Sequence, residues 1–514
     1  MLSVLAEAIP SVPVVSSNCS PEARVAFFEL EKWCLSGDTL SLPIHEVECD
    51  LHERCREVMR LMLQSHLDSR GRGDVGPAIH RHDENGDVVV LSHRRKADRD
   101  HRTVFGLVEV RRLGYSARGE ERICPADETL RLQERSYSYQ VQRLSVIESV
   151  KGPYEESVKT LERYVGLKMS KRTCEDILQD SAVDFKEFYQ QRVLPSASET
   201  SQILVASVDG KGVPMKQAKP AQQLAGAPVE RRNGVKKMAT VATAYTVAPR
   251  IRTPQDVVDS LFKDPHKLRP VPSLEVTERS KDARPEYKRV WASLDDGKDT
   301  VINELAQEAE DRDPDATKTR VALTDGEVAL QRRVRRSLPT FLLILDLLHA
   351  LDKLWKAAAI LVGESNTLKK EREEWVRTRV LHILQGNVSR VVRGMRQSLT
   401  KRQLKGKTAK KFRNICNYLY NNRDHMRYHE YLAAGLPIAS GAIEGACKNL
   451  VKARMEGPGM RWCTTTEAML RMRALYLSGD FEEYWTFHIR QSRARLRKGK
   501  IWTRIAANTS VASN

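Results

Sequence analysis

Three acidic residues follow directly on strand-like segments of the sequence, in positions where carboxylates could bind a metal ion. Asp209 ends ILVASVD, Asp325 ends TRVALTD, and Asp346 ends PTFLLILD. Alternate residues of a strand share a face, so the first two acids lie on the same face as apolar residues before them. Ligands of α/β sheets gather at the carboxyl ends of strands. Glycines at 210, 212 and 326 predict tight turns there, although an Asp-Gly pair is also an ordinary turn signal.

Carboxylates brought together in this way suit Mg²⁺, which prefers hard oxygen ligands. Two such ions, roughly 3.5–4 Å apart, can clamp the attacking and leaving oxygens of a phosphodiester displacement. Such a site recruits a third carboxylate. Glu444 is the candidate, in the first turn of a helix predicted over 440–455 and capped by Ser440. The alternative is that Glu444 only complements the helix dipole.

A further polar group follows the third acid along the chain. Asp346, His349 and Lys353 are spaced i, i+3 and i+7, which places them on one face of a helix predicted from about 347. Asp346 and His349 are therefore candidates for an accessory pair. His349 could equally be an ordinary packed or solvated histidine.

The strands that must position these acids are predicted to form one mixed sheet. Three neighbouring strands are followed by alternating helices and strands, which predicts an α/β fold with a mixed five-stranded sheet flanked by helices. This is the element order of the RNase H-like fold. Residues 350–437 read as an all-α insertion, which would hold DNA or a second protomer. The strands are predicted over 203–213, 236–249, 288–294, 319–327 and 339–346, with helices at about 298–313 and ending near Arg336.

The region before this sheet carries basic groups on a hairpin and on helices. TVFGLVEVRRLGYSARG alternates like strands and carries Arg111 and Arg112. A helix is predicted at about 44–68, and from about 126 the chain is predicted to be mostly α-helical. YEESVKTLERYVGLKMSKRTCEDILQ fits a helix-turn-helix whose second helix opens with Lys171 and Arg172, where such helices contact bases. Any packed pair of helices gives the same pattern.

The net charge points to a polyanionic partner. The 514 residues include 85 Lys and Arg against 67 Asp and Glu, a formal charge of +18. Residues 485–504 alone carry seven Lys or Arg and no acid, among them Arg493, Arg495 and Arg497. Nucleic acid is favoured over a membrane surface, because the most apolar stretch, within 339–363, is interrupted by charged residues. The amino terminus lacks the basic region of a signal peptide, so we expect no membrane partner.

The cysteines indicate a reducing compartment. Nine are scattered through the chain without a CxxC pair, which is typical of reduced thiols in a cytoplasmic protein. Cys49, His52 and Cys55 have helical spacing, and a metal site there would need a fourth ligand such as His45. The alternative is one helix with two small apolar cysteines.

Several long motifs resemble the ISKra family of bacterial insertion-sequence transposases. The similarity spans roughly residues 100–490, in order, and includes the basic hairpin and RMRALYLSGDFEEYWTFH. The motifs that carry it are VDGKGVPM, KKMATVATAYTVAPRIRTP, KRVWASL, LILDLLHALDKLWKAA and YLAAGLPIASGAIEGACKNLVKARME.

The resemblance implies a DDE transposase with an RNase H-like core that cuts DNA ends and joins them to a target. It assigns Asp209 as the first acid and Glu444 as the last, ligands for two Mg²⁺ ions, with Mn²⁺ as a substitute. Strand order makes Asp325 the second acid, with Asp346 and His349 as an accessory pair matching a [C/D]xxH element. In some DDE families the equivalent DxxH acid is the proposed catalytic one, so Asp346 stays an alternative. Relatives often carry a Cys-rich, zinc-ribbon-like segment near the amino terminus. Here only Cys124 lies near the hairpin, so the resemblance does not extend to a zinc site.

The interpretation that follows is a DNA transposase acting at the nucleoid in the cytoplasm. It would bind terminal inverted repeats and target DNA and assemble on DNA as a homodimer. The alternatives are a non-catalytic DNA-binding protein derived from a transposase and an RNase H-like nuclease without strand transfer. The predicted regions are 1–125 with the basic hairpin, 126–195 with the helix-turn-helix, 196–349 as first part of the core, 350–437 as the all-α insertion, 438–480 with the last core helix, and 481–514 as a basic tail.

Overall fold

The computed structural model describes residues 20–82, 88–216, 236–262, 284–457, 460–497 and 501–504. The chain divides into two units, one made of Met1–Asp184 with Glu482–Asn514 and the other of Phe185–Phe481. The predicted regions divide the chain more finely and place their nearest boundary at 195/196. Within the described residues, no helix is both long and apolar enough to cross a bilayer.

The first unit combines helices with short strands. The predicted helix at 44–68 is present as Ile44–Ser69. Its short strands pair antiparallel, Ile79–His82 with Val88–Leu91, His93–Lys96 with Leu113–Ser116, and Arg99–Thr103 with Gly106–Val110. In chain order its elements are α1 Pro21–Cys34, α2 Gly37–Leu40, α3 Ile44–Ser69, β1 Ile79–His82, β2 Val88–Leu91, β3 His93–Lys96, β4 Arg99–Thr103, β5 Gly106–Val110, β6 Leu113–Ser116, α4 Pro125–Thr129, α5 Tyr139–Lys151, α6 Tyr154–Val165 and α7 Lys171–Ser181.

The predicted helix, turn and capped helix are confirmed as local structure. Helix α6 is followed by Gly166, whose φ of 66° lies in the left-handed region that ends helices. The Ser170 hydroxyl accepts the amide of Thr173 at 3.0 Å and so caps α7. The basic hairpin is also present, since β4 and β5 are joined at residues 104–105, and Arg111 and Arg112 follow β5.

The second unit is built on a five-stranded mixed sheet, as the sequence predicts. Its elements through the sheet are α8 Phe185–Gln191, β7 Ile203–Pro214, β8 Lys236–Val247, α9 Pro254–Leu261, β9 Glu286–Ser293, α10 Lys298–Arg312, β10 Thr319–Thr324, α11 Val328–Ser337 and β11 Leu342–Leu345. The strand order is β11-β10-β7-β8-β9, in which β7, β10 and β11 are parallel and β8 runs antiparallel to both β7 and β9.

The turn predicted at Gly210 and Gly212 is wrong. Strand β7 continues through both glycines to Pro214, and all twelve of its residues pair with β8. Neither glycine is among those with positive φ. Antiparallel pairing with β8 thus decides the conformation there, and Asp209 lies within a strand rather than at its end.

A helical insertion follows the sheet, as predicted. Its helices share a core with β7, β10 and β11, in which Val205, Ile344, Val380 and Phe412 are fully buried. The later elements of the unit are α12 Leu347–Val362, α13 Lys369–Leu384, α14 Val388–Lys401, α15 Gly406–Asn421, α16 Tyr428–Ala433, α17 Gly441–Ala446, a π-helical segment Cys447–Lys452, α18 Ala453–Met455 and α19 Thr466–Ser478. The helix predicted over 440–455 is therefore interrupted by a π-helical turn.

The last helix differs from the predicted basic tail. Helix α20, Phe481–Arg497, buries Tyr484, Trp485, Phe487 and His488, and the strand β12, Ile501–Arg504, pairs antiparallel with β1. The apolar residues of WTFHI pack this helix into its unit, so the segment is not a free basic tail.

Candidate functional site

The three strand-associated acids lie at one level of the sheet. Leu323 pairs with Ser207 and Thr324 with Leu345, so continuing both registers places Asp325 beside Asp209 on one side and Asp346 on the other. The Asp346 amide donates to the Thr324 carbonyl at 2.9 Å, which continues the ladder. Since neighbouring strands are about 4.8 Å apart, the three backbones form a row across β7, β10 and β11.

Asp209 is half-buried and held from two directions. Its Oδ1 accepts the Gly210 amide at 2.7 Å, and its Oδ2 accepts the Cys447 thiol at 3.3 Å. Burial, together with the negative charge of Asp209, raises the pKa of Cys447, so the sulfur stays a protonated donor. The thiol thus fixes one oxygen of the carboxylate.

Asp325 occupies the centre of the row. Its Oδ1 accepts the Glu327 amide at 2.9 Å, and its backbone carbonyl accepts the Tyr418 hydroxyl. Burial raises the pKa of Asp325, and the Asp209 charge raises it further, while the Glu327 amide and His349 oppose the shift. The two neighbouring carboxylates therefore repel one another, which a cation between them would relieve.

Asp346 is the most enclosed of the three and connects several elements. It is 3% exposed, and its Oδ1 and Oδ2 accept the amides of Leu348 at 2.8 Å and Ser440 at 3.0 Å. Burial raises the pKa of Asp346, with the two amides and His349 acting in the opposite direction. Both oxygens are occupied by backbone donors that begin α12 and fix the start of α17, so this carboxylate holds helices in place.

Ser440 extends this buried network to the first strand. Its hydroxyl accepts the Ile443 amide at 3.1 Å, which caps α17 as predicted, and it accepts the Ser207 hydroxyl at 3.1 Å. The hydrogen bonds from Asp346 through Ser440 to Ser207 therefore tie α17 to the sheet.

Glu444 lies in the first turn of α17, exposed, one helical turn before Cys447. Its negative charge raises the pKa of Asp346 and of Cys447, which places it within electrostatic reach of the row. His349 is partly buried and lowers the pKa of both Asp325 and Asp346, so it lies within electrostatic range of both carboxylates. The structure thus places Asp209, Asp325 and Asp346 on adjacent strands in register, with Glu444 and His349 within electrostatic range of this row.

The fit of this site to a divalent cation follows from its donors. Asp209, Asp325 and Glu444 supply carboxylate oxygens, the ligands that Mg²⁺ prefers, and the repulsion at Asp325 favours a cation. Throughout the part of the chain that the structure describes, no three His, Cys, Asp or Glu side chains converge closely enough to hold a metal ion. The residue types fit Mg²⁺, and their side chains would have to turn toward it.

The two amino-terminal cysteines with helical spacing lie on one helix. Cys49, His52 and Cys55 lie along α3 with His45, and they form no metal-ligand group among the described residues. One helix carrying two cysteines accounts for the pattern.

The cations predicted to bind DNA on α7 and the hairpin each lie beside acids of the same unit. Lys171 pairs with Glu155 at 2.9 Å, and Arg172 with Asp176 at 3.0 Å. Arg111 pairs with Glu109 at 3.0 Å. Arg112 is largely buried and donates to both oxygens of Asp127.

The predicted cations of the last helix have mixed surroundings. Arg495 donates to both oxygens of the buried Asp184, so it contributes to the packing of its unit. Arg493 and Arg495 line a cavity of about 390 Å³ together with Trp502. Arg497 ends α20, and its side chain lies outside the described part of the structure.

Three contributors to the site were missed from the sequence. Cys447 follows Glu444 by three residues, a helical spacing that could have suggested a shared face. Ser207 lies on the strand face of Asp209, but its contact with Ser440 joins positions 233 residues apart and leaves no sequence signal. Tyr418, whose hydroxyl contacts the Asp325 backbone, comes from the helical insertion.

Comparisons with known proteins do not identify a family for this chain. No protein-family model and no curated protein matches the sequence. One solved structure found to be similar is the Drosophila P element transposase strand transfer complex, with a TM-score of 0.26 and 7% identity over 69% of this chain and 81% of that chain. At this TM-score a common fold is not demonstrated, so the function has to be inferred from the residues of the site.

Proposed function

We propose that this protein is a DDE transposase that cleaves the ends of an insertion sequence and joins them to target DNA. The observation that carries the proposal is the row of Asp209, Asp325 and Asp346 on adjacent strands, with Glu444 brought to it by α17. The strand order β11-β10-β7-β8-β9 with β8 antiparallel supports an RNase H-like core. The motifs similar to the ISKra family supply the same acids.

In this proposal Asp209, Asp325 and Glu444 hold two Mg²⁺ ions, or Mn²⁺ in their place. When bound, the ions supply Lewis-acid activation of water or of a 3′-hydroxyl and stabilise the leaving oxygen. The chain itself orients the ligands: the Cys447 thiol and the Gly210 amide hold the Asp209 carboxylate.

Asp325 is preferred over Asp346 as the second acid for a structural reason. Each oxygen of Asp346 already accepts a backbone amide, and the side chain is 3% exposed. Asp325 is partly exposed and has one oxygen bonded to an amide. Asp346 therefore acts as a positioning residue for α17, with His349 beside it near the scissile phosphate.

Recognition of the element requires further contacts. The helix-turn-helix of α6 and α7 and the basic hairpin would bind terminal inverted repeats, with Lys171, Arg172 and Arg111 exchanging acidic partners for phosphates. Arg112, largely buried against Asp127, would hold the hairpin in place. Because two ends must be cut together, the active form is a homodimer on DNA, acting at the nucleoid.

The test is a Mg²⁺-dependent cleavage and strand-transfer assay on the element's ends. We expect Asp209→Ala, Asp325→Ala and Glu444→Ala to abolish both reactions without loss of DNA binding. Asp352→Ala is the matched control, since this exposed acid on α12 pairs only with Lys356 among the described residues. Activity in Asp325→Ala with none in Asp346→Ala would exchange the two roles. Wild-type binding without cleavage would indicate a non-catalytic protein, and cleavage without joining would indicate a nuclease.

A further inference from the structure

The helical insertion contains a long stretch of charge of one sign. Between residues 388 and 413, which form α14, its connection and the first half of α15, there are ten Lys or Arg residues and no acid. The preceding helix α13 differs, since it mixes cations with Glu371, Glu373 and Glu374. The ten are Arg390, Arg393, Arg396, Lys401, Arg402, Lys405, Lys407, Lys410, Lys411 and Arg413. We call this set the insertion cations.

All ten insertion cations are exposed. The apolar residues between them face the other way, with Val392 and Met395 of α14 and Phe412 and Leu419 of α15 buried in the core of the unit. The burial of one face fixes both helices and leaves the cations on a surface held in place by packing.

No acid in the described part of their unit neutralises the insertion cations. None of them forms an ion pair with any residue in the described ranges, which is unlike Lys171, Arg172, Arg111 and Arg112. A helix pair that is merely solvated is ordinarily supported by acids at i+3 or i+4, and this stretch has none. Concentrated positive charge without counter-charges raises the local affinity for a polyanion.

One aromatic side chain belongs to the same surface. Tyr420 is 38% exposed on α15, and the guanidinium groups of Arg396 and Arg423 lie 5.3 Å and 4.4 Å from its ring centroid. Stacking on the ring holds these planar cations in place, so less side-chain entropy is lost when they bind a phosphate.

This surface is connected to the candidate site through one helix. Helix α15 carries Lys407 near its start and Tyr418 near its end, where the Tyr418 hydroxyl donates to the Asp325 carbonyl. The eleven-residue separation corresponds to about 16 Å along the helix. A polyanion lying on the insertion cations would therefore run toward the acids.

We propose that the insertion cations bind the phosphates of duplex DNA without regard to sequence and hold the target duplex against the site. Duplex DNA presents one charge per about 1.7 Å of axis, so the length of α14 alone spans several phosphates. Phosphate contacts position a duplex but carry no base information, which suits a target held irrespective of its sequence. The inference deepens the proposed function and rests on it for the choice of DNA as the polyanion.

The experiment compares two triple variants of the full-length protein with equal net charge. Arg390→Gln, Arg393→Gln and Lys410→Gln remove insertion cations, whereas Lys186→Gln, Lys356→Gln and Arg377→Gln remove cations of the same unit that are already ion-paired. Fluorescence anisotropy gives the affinity for a duplex unrelated to the element between about 50 and 200 mM salt.

We expect the first triple to reduce the slope of log affinity against log salt by up to about 2.7, at about 0.9 for each lost phosphate contact. The paired triple should change the slope by less than half as much. A third variant, Arg390→Lys with Arg393→Lys and Lys410→Arg, retains the charges and should keep the wild-type slope, which separates loss of charge from misfolding.

Equal slopes in the two glutamine triples would overturn the proposal. A slope change seen only with the element's own ends, only with single-stranded RNA or only with anionic vesicles would also overturn it. The test is independent of catalysis, because Asp209→Ala should bind with the wild-type slope. An inactive wild type that still shows the slope difference would refute the transposase function and leave the DNA surface standing.

Discussion

The buried hydrogen bond between Ser207 and Ser440 offers a direct test of how the site is positioned. Both side chains are almost completely buried, and the Ser440 hydroxyl also caps α17 through the Ile443 amide. Ser440→Ala should loosen the helix that carries Glu444 while leaving every acid of the row in the sequence.

The cost can be worked out from the lost contacts. Removing a serine N-cap costs about 1 kcal/mol. Leaving the buried Ser207 hydroxyl without an acceptor costs about 1–3 kcal/mol more, so Ser440→Ala should destabilise by about 2–4 kcal/mol. Ser207→Ala loses one hydrogen bond while the cap remains, at about 0.5–1.5 kcal/mol. In the double variant no hydroxyl is orphaned, so its cost should be smaller than the sum of the two by about 1–2 kcal/mol.

Hydrogen-exchange mass spectrometry of peptides covering residues 440–447 measures the opening free energy of α17 in the four proteins. Urea denaturation provides the global value for comparison. If the two single effects add to within about 0.5 kcal/mol, the serines are not coupled and the reasoning fails. The kcat of DNA cleavage should be lower for Ser440→Ala than for the wild type, because Glu444 is displaced. The affinity for DNA should be unchanged, because the DNA-binding surfaces are intact.

Three other predictions follow from the row and its surroundings. Burial raises the pKa of Asp325 in the folded protein, so the protonated side chain favours folding. This stabilisation is fully present below the ordinary carboxyl pKa and is lost as the pH rises through the raised pKa of the folded state. Asp325→Asn should therefore raise the melting temperature in metal-free buffer at neutral pH. It should also lose the stabilisation that Mg²⁺ gives the wild type, which is about 2.7 kcal/mol when Mg²⁺ is present at 100 times the Kd of the site. A lower melting temperature of Asp325→Asn without metal would contradict this. Cys447→Val should lose the hydrogen bond from a weak thiol donor to Asp209, worth about 0.5–1.5 kcal/mol, and require more Mg²⁺ for cleavage. Cys447→Ser keeps a donor and should behave like the wild type, and identical Mg²⁺ dependence in both variants would refute the positioning role. Gly326 has a φ of 83°, and a Cβ there would lie 2.7 Å from the Tyr418 hydroxyl, so Gly326→Ala should cost at least about 1–2 kcal/mol in thermal denaturation; an unchanged melting temperature would exclude strain at this turn.

Much of the sheet could be predicted from sequence because its strands are runs of apolar residues. ILVASV and TRVALT are buried between helices, and such runs have few alternatives to a central strand. The error at Gly210 and Gly212 has a physical cause. Glycine permits a turn but does not require one, and the pairing of β7 with β8 over its whole length determines the outcome.

The alignment of the three acids could be predicted from the sequence, whereas the hydrogen bonds that hold them could not. Each of Asp209, Asp325 and Asp346 follows a run of apolar strand residues, and neighbouring strands place corresponding residues side by side, although Asp209 lies within its strand rather than at the end. The occupation of both Asp346 oxygens could not be predicted, because one donor is the amide of the distant Ser440. Amides carry no sequence signature, and only the packing of α17 shows which carboxylate they reach.

The π-helical segment Cys447–Lys452 has a consequence for how this region can change. An α-helix turns by about 100° for each residue, so a wider turn shifts the rotational phase of everything beyond it. Before the segment, α17 presents Glu444 at the surface; within it Val451, and beyond it Met455, are fully buried. Deleting one residue within the segment would restore ordinary winding and rotate one of these faces out of place. The residues before and after the segment therefore face in directions that only its present length allows. We expect substitutions within the segment to be tolerated far better than insertions or deletions.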